Sequence, residues 1–125
     1  MKILVADDDQ SMQDMFTMML TGLGHDVHVA RDGVEAMFMF RNVEPAFDFI
    51  LTDYQMPGKN GVALLMEIRA ANPDQKMALM SGDPPRMPKE LAGVPVLTKG
   101  SIRTSDVSAI LETFGGAPDG GLDLD

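Results

Sequence analysis

The stretch Phe47-Asp-Phe-Ile-Leu-Thr-Asp-Tyr-Gln-Met-Pro-Gly-Lys-Asn-Gly61 decides how the chain folds, because it predicts a buried strand that runs into a loop. Its first half is a short run of aromatic and aliphatic residues, which is typical of a strand covered on both faces. Pro57 and Gly58 then prevent the strand from continuing, since proline has no N–H for a ladder and glycine turns freely. Asn60 is a suitable N-cap for a following helix. The strand therefore delivers one carboxylate, Asp53, to a loop, although a lone aspartate there is also an ordinary turn residue.

Composition limits the classes of function that the chain can have. The 125 residues fit one domain with a real core. A net charge of −9 makes binding to nucleic acid through a basic surface a poor hypothesis, and the absence of cysteine excludes disulfide and thiolate chemistry. The N-terminus lacks a signal-peptide pattern, and no apolar run is long enough to span a membrane. These features predict a cytoplasmic domain without a membrane or nucleic-acid partner.

Strand and helix patterns alternate along the chain. Besides the central strand, strands are predicted over residues 2–6, 26–30, 76–81 and 93–98. Helical spacing predicts a first helix that ends near Gly24, a second with Val34, Met37 and Phe38 facing inward and Phe40 as a further candidate, a third after Asn60, and a last over residues 102–114. This alternation predicts an α/β fold with a parallel sheet and helices on both faces.

Two strands carry residues that are typical of a sheet edge. His28 breaks the apolar run of the second strand, and Pro95 lies in the fifth, where a central strand would not tolerate it. This agrees with the doubly wound, flavodoxin-like strand order 2-1-3-4-5. In that order, the carboxyl ends of four neighbouring strands bring five polar side chains to one rim: Asp7, Asp8, Asp53, Ser81 and Lys99. Convergence from four strands favours a functional site over a set of turn residues.

The residue types on this rim suit phosphoryl chemistry. Carboxylates at one site repel one another unless a cation is present, and an all-oxygen ligand set with room for water suits Mg²⁺. Ser81 can donate a hydrogen bond to an oxyanion, and Lys99 adds a positive charge. These groups are what stabilises a transferring phosphoryl group. An aspartate can itself be the nucleophile and form an acyl phosphate.

Over about residues 2–114 the chain resembles the receiver domains of bacterial two-component response regulators, a family with the same strand order. The matching stretches are Ile-Leu-Val-Ala-Asp7-Asp8-Asp9, Ala-Arg-Asp-Gly-Val-Glu-Ala, Leu-Thr-Asp53-Tyr-Gln-Met-Pro-Gly-Lys-Asn-Gly, Met-Ser81-Gly and Leu-Thr-Lys99. The resemblance implies a receiver domain over residues 1–114 and leaves 115–125 as a flexible acidic, glycine-rich tail. It also implies a single-domain signalling protein, not an enzyme, that is phosphorylated by a histidine kinase or phosphotransfer protein and then contacts an unknown downstream protein.

The resemblance further implies a role for each rim residue. Asp53 would be the phosphoacceptor. Asp8 and Asp53 would bind Mg²⁺ directly together with the backbone carbonyl of Gln55, whereas Asp7 would act mainly through water. Ser81 would be the switch hydroxyl, and Lys99 the lysine that contacts the phosphoryl group. In addition, Asp9 is expected to cap the first helix, Lys59 to have no chemical role, and Gln55 and Asp83 to control the phosphoryl lifetime.

The chain departs from the family on the side that receivers normally use for output. Val96 stands where the family usually has an aromatic residue that moves on activation, and Gly100 stands where it usually has proline. Pro84, Pro85 and Pro88 predict that the fourth helix is reduced to about two turns near residues 89–92, or is absent. The phosphorylation site is therefore expected to be intact and the readout surface remodelled.

Methionines are abundant in the first helix. Met12, Met15 and Met19 share its apolar stripe and are expected to fill the core. Met18 falls off that stripe and is a candidate for a partner surface, because methionine adapts to varied shapes. The resemblance implies a kinase contact at this helix.

Three other functions compete with a phosphorylated receiver. A pseudo-receiver would bind partners without phosphorylation, and Val96 and the short fourth segment favour it. A haloacid-dehalogenase-like phosphatase would use Asp7 of the sequence Asp7-x-Asp9-x-Ser11, but a late acidic pair is missing after Lys99. A flavin carrier would need hydroxyls and glycine in the first loop, which is acidic instead.

Overall fold

A computed structural model describes residues 1–113, which form a five-stranded parallel sheet in the order β2-β1-β3-β4-β5 with helices on both faces. The strands are β1 (Lys2–Ala6), β2 (Asp26–Ala30), β3 (Phe49–Asp53), β4 (Lys76–Ser81) and β5 (Val96–Thr98). The helices are α1 (Gln10–Gly22), α2 (Gly33–Asn42), α3 (Gly61–Ala71) and α4 (Thr104–Thr113), and a 3₁₀ turn covers Lys89–Leu91. The predicted fold class is confirmed. Phe114 and the predicted tail 115–125 lie outside the described residues.

Three helices begin where the sequence provides a capping side chain. Asp9, Asp32 and Asn60 accept hydrogen bonds from backbone N–H groups in the first turns of α1, α2 and α3. The hydroxyl and backbone N–H of Ser11 both donate to Asp9 and lower the pKa of its carboxyl. Asp9 is therefore a charged helix cap, as predicted.

The sheet separates two apolar clusters, and successive residues of β3 point into different ones. Ile50 packs on the side of α2, α3 and the 3₁₀ turn, whereas Phe49 and Leu51 pack on the side of α1 and α4. All five residues of β3 are buried. A strand covered on both faces is what the run of apolar residues predicted.

The prediction for the inward face of α2 was wrong at two positions. Val34 and Phe38 are 64% and 65% exposed, whereas Ala36 and Met37 are buried. The helix begins at Gly33, which is itself buried so closely against the backbone of Lys59 that a Cβ would lie 2.8 Å from its carbonyl oxygen. This contact rotates the helix so that residues 33, 36 and 37 face the sheet and Val34 and Phe38 face outward.

The helical turn and the strand that follow β4 are both short. The fourth helix is only a 3₁₀ turn, which confirms the expectation from the prolines. The fifth strand covers Val96–Thr98 instead of residues 93–98, because the pairing with β4 begins only at the carbonyl of Pro95, which accepts from the N–H of Leu79. The last helix begins at Thr104, and Ile102 reaches the core from the preceding loop.

The methionines of α1 are distributed as predicted. Met12, Met15 and Met19 are half-buried against the cluster on the α1 side, and Met18 is 77% exposed. Between residues 1 and 113, none of the helices combines the length and the apolar character needed to cross a bilayer.

Candidate functional site

Parallel strand pairing brings the predicted rim residues to one edge of the sheet. Asp53 ends β3 and lies opposite Met80 of β4, and Ser81, the next residue of β4, lies opposite Thr98 of β5. The N–H of Lys99 then donates to the carbonyl of Ser81 at 2.8 Å. The side chains that follow these strands are therefore delivered to the same place by backbone register.

Three carboxylates meet at this rim. Asp7, Asp8 and Asp53 each offer an oxygen, and these oxygens all lie within 4.8 Å of one another. Asp7 and Asp53 are buried, with 0% and 3% of their surface exposed, whereas Asp8 is exposed. One side of the cluster is thus open to solvent, where an ion can enter.

The buried oxygens of Asp7 differ in their partners. Oδ1 accepts from the N–H of Asp9 at 2.9 Å, whereas Oδ2 accepts no well-aligned hydrogen bond within residues 1–113 and has the ammonium of Lys99 nearby, at 3.3 Å. A buried polar atom without a well-aligned hydrogen bond is costly, and a hard cation would satisfy it. The chemistry of this donor set therefore fits Mg²⁺.

Lys99 lies between the two buried carboxylates. Its Nζ donates to Asp53 Oδ2 at 2.9 Å and is 3.3 Å from Asp7 Oδ2. Partial burial lowers the pKa of Lys99, but the hydrogen bond to Asp53 and the charges of Asp7 and Asp53 outweigh it, so that the pKa is raised overall. The lysine is held as an ammonium ion beside the predicted phosphoacceptor.

Burial has the largest effect on Asp7 and raises the pKa of its carboxyl. The charge of Asp53 raises it further, whereas the N–H of Asp9 and the ammonium of Lys99 oppose the shift. Asp7 therefore remains costly to ionise even with its lysine partner.

Ser81 and Gln55 are at the same site, but their side chains form no hydrogen bond with the three carboxylates in this structure. Both line an open groove together with Asp8, Asp53 and Lys99. The buried Ser81 hydroxyl donates to the carbonyl of Asp83 at 2.7 Å and accepts from the N–H of the same residue at 3.2 Å. The structure thus groups the three acids, pairs Lys99 with Asp7 and Asp53, and leaves the hydroxyl turned toward the following loop.

Two supporting residues were missed by sequence reasoning. A Cβ on Gly61 would lie 2.2 Å from the carbonyl oxygen of Asp53, and the N–H of Gly61 donates to the carbonyl of Tyr54 at 2.7 Å. Lys59, which was given no chemical role, forms an ion pair with Glu67 of α3 and so ties the loop after Asp53 to that helix. Gly61 could have been identified from the sequence, because it directly follows the N-cap Asn60. No short-range spacing identifies the pairing of Lys59 with Glu67.

The fold and the rim define the class: an α/β protein whose carboxylate and lysine site is at the carboxyl ends of its parallel strands. The model of the protein family described as the response regulator receiver domain matches residues 3–92, which is more than half of the chain. The chain belongs to this family, which serves two-component signalling. The match stops before β5, so that Lys99 lies outside the matched residues.

Two relatives have well-matched segments. The chain is 41% identical to the DNA-binding response regulator MtrA of Mycolicibacterium paratuberculosis over 69 residues, which cover 55% of the chain and 30% of MtrA. It is 41% identical to the chemotaxis protein CheY-3 of Vibrio cholerae over 71 residues, which cover 56% of the chain and 53% of CheY-3. The matched segment therefore spans only part of each relative.

Solved receiver structures have the same fold. The response regulator TrrA of Thermotoga maritima, solved in complex with Mg²⁺ and BeF, has a TM-score of 0.81 at 23% identity, covering 90% of this chain and 97% of TrrA. The receiver domain of the Francisella response regulator 1452 has a TM-score of 0.78 at 28% identity, and the match covers 90% of this chain and 94% of that domain. These similarities agree with the strand order observed here.

Proposed function

We propose that this chain is a phosphorylation-dependent signalling receiver that accepts a phosphoryl group on Asp53. The observation that carries the proposal is the pairing of the Asp53 carboxylate with Lys99 Nζ at 2.9 Å, beside two further carboxylates and at an open groove. A nucleophile, an ammonium ion and a set of oxygen ligands at one place are the parts that phosphoryl transfer requires.

The reaction uses Asp53 as a nucleophile toward a phosphohistidine of a kinase or phosphotransfer protein. An oxygen of Asp53 attacks phosphorus, the new P–O bond forms and the P–N bond breaks. The electron pair of the broken bond goes to the imidazole nitrogen, which takes a proton from solvent. Lys99 is close enough to Asp53 to offer its charge to the phosphoryl oxygens.

Asp8 and Asp53, the backbone carbonyl of Gln55 and, mainly through water, Asp7 would hold the divalent cation. Mg²⁺ neutralises the charge that gathers on a transferring phosphoryl group. Within the same proposal, the chain assists its own phosphorylation and dephosphorylation and acts in the cytoplasm by contact with a downstream protein. We also propose the division into a receiver over residues 1–114 and an acidic tail over 115–125.

A pseudo-receiver is the second candidate. The observations that favour it are Val96, Gly100 and the 3₁₀ turn that replaces the fourth helix. All three lie on the readout side and none alters the carboxylates, so phosphorylation is the better proposal. A phosphatase that uses Asp7 is disfavoured, because that side chain is fully buried.

Incubation with Mg²⁺ and acetyl phosphate, followed by intact-mass and peptide mass spectrometry, tests these functions. A receiver gains one phosphoryl group at Asp53 and loses all uptake in Asp53→Asn. Asp14→Asn is a matched control, because Asp14 is an exposed residue of α1 that accepts a hydrogen bond from Gln10 and lies outside the carboxylate cluster. A wild-type chain that gains nothing would be a pseudo-receiver, and continued hydrolysis of the donor by Asp53→Asn would indicate a phosphatase.

A further inference from the structure

A groove on the outer surface of α2 and α3 shares no lining residue with the carboxylate site. It is here called the α2–α3 groove. Apolar side chains of α2 and three charged side chains line it: Val34, Met37, Phe38, Arg41, Lys59 and Glu67. The groove therefore combines an apolar part with a charged part.

The apolar part of the groove is open to solvent. Val34 and Phe38 are 64% and 65% exposed and lie one turn apart on α2, whereas Met37 beside them is buried. Within residues 1–113, Met18 of α1 is the third large apolar side chain that is mainly exposed. A lone exposed apolar residue needs no explanation, but neighbouring ones along a groove indicate a surface that is covered in a complex.

The charged part of the groove has a net positive charge. Glu67 pairs with Arg41 at 3.2 Å and also with Lys59, so that two cations share one carboxylate. The hydrogen bond from Lys59 is the main cause that lowers the pKa of Glu67, and the charges of Lys59 and Arg41 lower it further. The carboxyl is therefore ionised, and the local sum is positive in a chain whose net charge is −9.

Arg41 is the cation that a partner can reach. Its side chain is 60% exposed, whereas that of Lys59 is 25% exposed. A guanidinium group has five N–H donors, and the pair with Glu67 is made through Nη2. Arg41 can therefore accept a second carboxylate as a partner while it keeps the first.

The spacing of these residues on α2 indicates the shape of the occupant. Val34, Phe38 and Arg41 follow one another at intervals of four and three residues, which places them on one face of the helix. A helix that lies in a groove uses anchors at the same intervals on its own apolar face. The groove thus matches a helix with two apolar residues and, one turn further along, a carboxylate opposite Arg41.

A second copy of this chain fits the groove less well. A stable dimer buries about 800 Å² on each partner, far more than two exposed apolar side chains supply. Two copies would also repel each other, because each has a net charge of −9. Charge complementarity favours a different protein that presents an acidic residue to the groove.

We propose that the α2–α3 groove binds an amphipathic α-helix of a partner protein. Two apolar residues of this helix cover Val34 and Phe38, and its carboxylate pairs with Arg41. The inference goes beyond the proposed function, because Asp53 takes no part in it. Binding is therefore expected in the unphosphorylated chain.

Two synthetic peptides test the chemistry of the partner. Each is an alanine-based helix of about 20 residues with two leucines four positions apart. Three positions from the second leucine, one peptide has glutamate and the other has lysine. The full-length, isotope-labelled chain is titrated with each peptide without a phosphodonor, and its backbone amide signals are followed by NMR. We expect shifts in α2 and α3, and a Kd about fivefold lower for the glutamate peptide.

Three variants locate the contacts. Phe38→Ala is expected to weaken binding of the glutamate peptide about tenfold, because it truncates the largest anchor. Arg41→Glu is expected to reverse the preference, so that the lysine peptide binds about fivefold more tightly than the glutamate peptide. Met18→Ala is the matched control, because Met18 is exposed but lies outside the groove, and it should keep the wild-type affinities. Circular dichroism checks that each variant is folded.

Several outcomes would overturn the proposal. Absence of binding at millimolar peptide, shifts outside α2 and α3, or an unchanged affinity in Phe38→Ala would each do so. Equal affinities of the wild-type chain for the two peptides would mean that the groove does not select a carboxylate. A dimer in sedimentation that Phe38→Ala dissociates would make a second copy the occupant. Because the titration uses no phosphodonor, phosphoryl uptake at Asp53 succeeds or fails in a separate measurement.

Discussion

The acidic rim and residues 83–88, which connect β4 to the 3₁₀ turn and are here called the proline strap, are neighbours in the fold, but different physical effects hold them in place. The rim acids and Lys99 follow strands whose register is fixed by pairing, and two of the acids are buried. The strap has no ladder, and its near end is held by one hydroxyl. A chain can therefore keep a carboxylate and lysine site that is set by sheet register while the segment after β4 varies with local sequence.

This difference makes the two regions unequal in their sensitivity to mutation. At the rim, a small change in backbone position moves several charges at once, because the side chains share contacts. In the strap, the outer side chains contact solvent and can be exchanged at low cost. Three substitutions test this contrast.

The largest effect is expected for Gly61→Ala beneath the rim. The new Cβ would lie 2.2 Å from the carbonyl oxygen of Asp53 and 2.9 Å from the Cα of Tyr54, so backbone must move. We expect the free energy of unfolding, measured by urea denaturation, to fall by about 3 kcal/mol, at the upper end for overpacking. Phosphoryl uptake should fall as well, since Asp53 is displaced.

Gly22→Ala is the control for this substitution. Gly22 is the last residue of α1, and nothing lies within 4 Å of a Cβ placed there. The same change should leave stability equal or raise it by up to about 1 kcal/mol, because alanine favours helix over glycine. Equal losses in both variants would contradict the account of Gly61.

Asp7→Asn is expected to have an intermediate effect that depends on pH. Folding raises the pKa of this carboxyl above its ordinary 3.8, so the native state binds a proton more readily than the unfolded chain. The carboxyl thus favours folding at low pH, and this contribution is lost as pH rises through the folded pKa. Without Mg²⁺ at pH 7, the asparagine variant should be more stable by about 1 kcal/mol, with a difference that shrinks toward pH 4.

Mg²⁺ should reverse the order of the two proteins. At ten times its dissociation constant, an ion that binds only the native state stabilises by about 1.4 kcal/mol, and the variant should lose most of this gain. Thermal denaturation with and without Mg²⁺ measures both effects. Asp14→Asn, at the exposed aspartate of α1, is the control: it keeps the three carboxylates of the ion site and should be stabilised by Mg²⁺ as much as the wild type. A wild-type chain that Mg²⁺ does not stabilise would contradict the ion site.

The smallest effect is expected for Pro84→Ala in the strap. Pro84 is exposed, so its loss should cost about 0.5 kcal/mol, mainly through greater freedom of the unfolded chain. Uptake of the phosphoryl group should equal that of the wild type. Pro73→Ala, in the exposed turn after α3, is the matched control for losing a proline ring. If Pro84→Ala abolished uptake, the separation of rim and strap would be wrong.

The sequence predicted the rim well because its determinants are local and periodic. Short apolar runs mark the strands, and a charged or hydroxyl residue directly after each run must emerge at the same edge of a parallel sheet. The caps at Asp9 and Asn60 were predictable for the same reason. The prolines after Ser81 likewise predicted the loss of the fourth helix.

What the sequence did not reveal depends on contacts between distant segments. The outward position of Val34 and Phe38 follows from the packing of Gly33 on Lys59, which are 26 positions apart. The bond from Ser81 to Asp83 spans two residues, but serine has many possible acceptors and only the fold selects one. The rotation of a helix about its own axis and the direction of a hydroxyl group are both set by tertiary contacts.

The central sheet also partitions the interior into two separate cores. Ile50 and Leu51 are adjacent in β3, yet they belong to clusters on opposite sides of the sheet. Distant substitutions without shared partners have nearly additive energies. The 3₁₀ turn after β4 buries Leu91 on the Ile50 side, so substitutions there share no side-chain cluster with the residues beneath α1 and α4. A designer can use the same independence to graft a new output element onto one side.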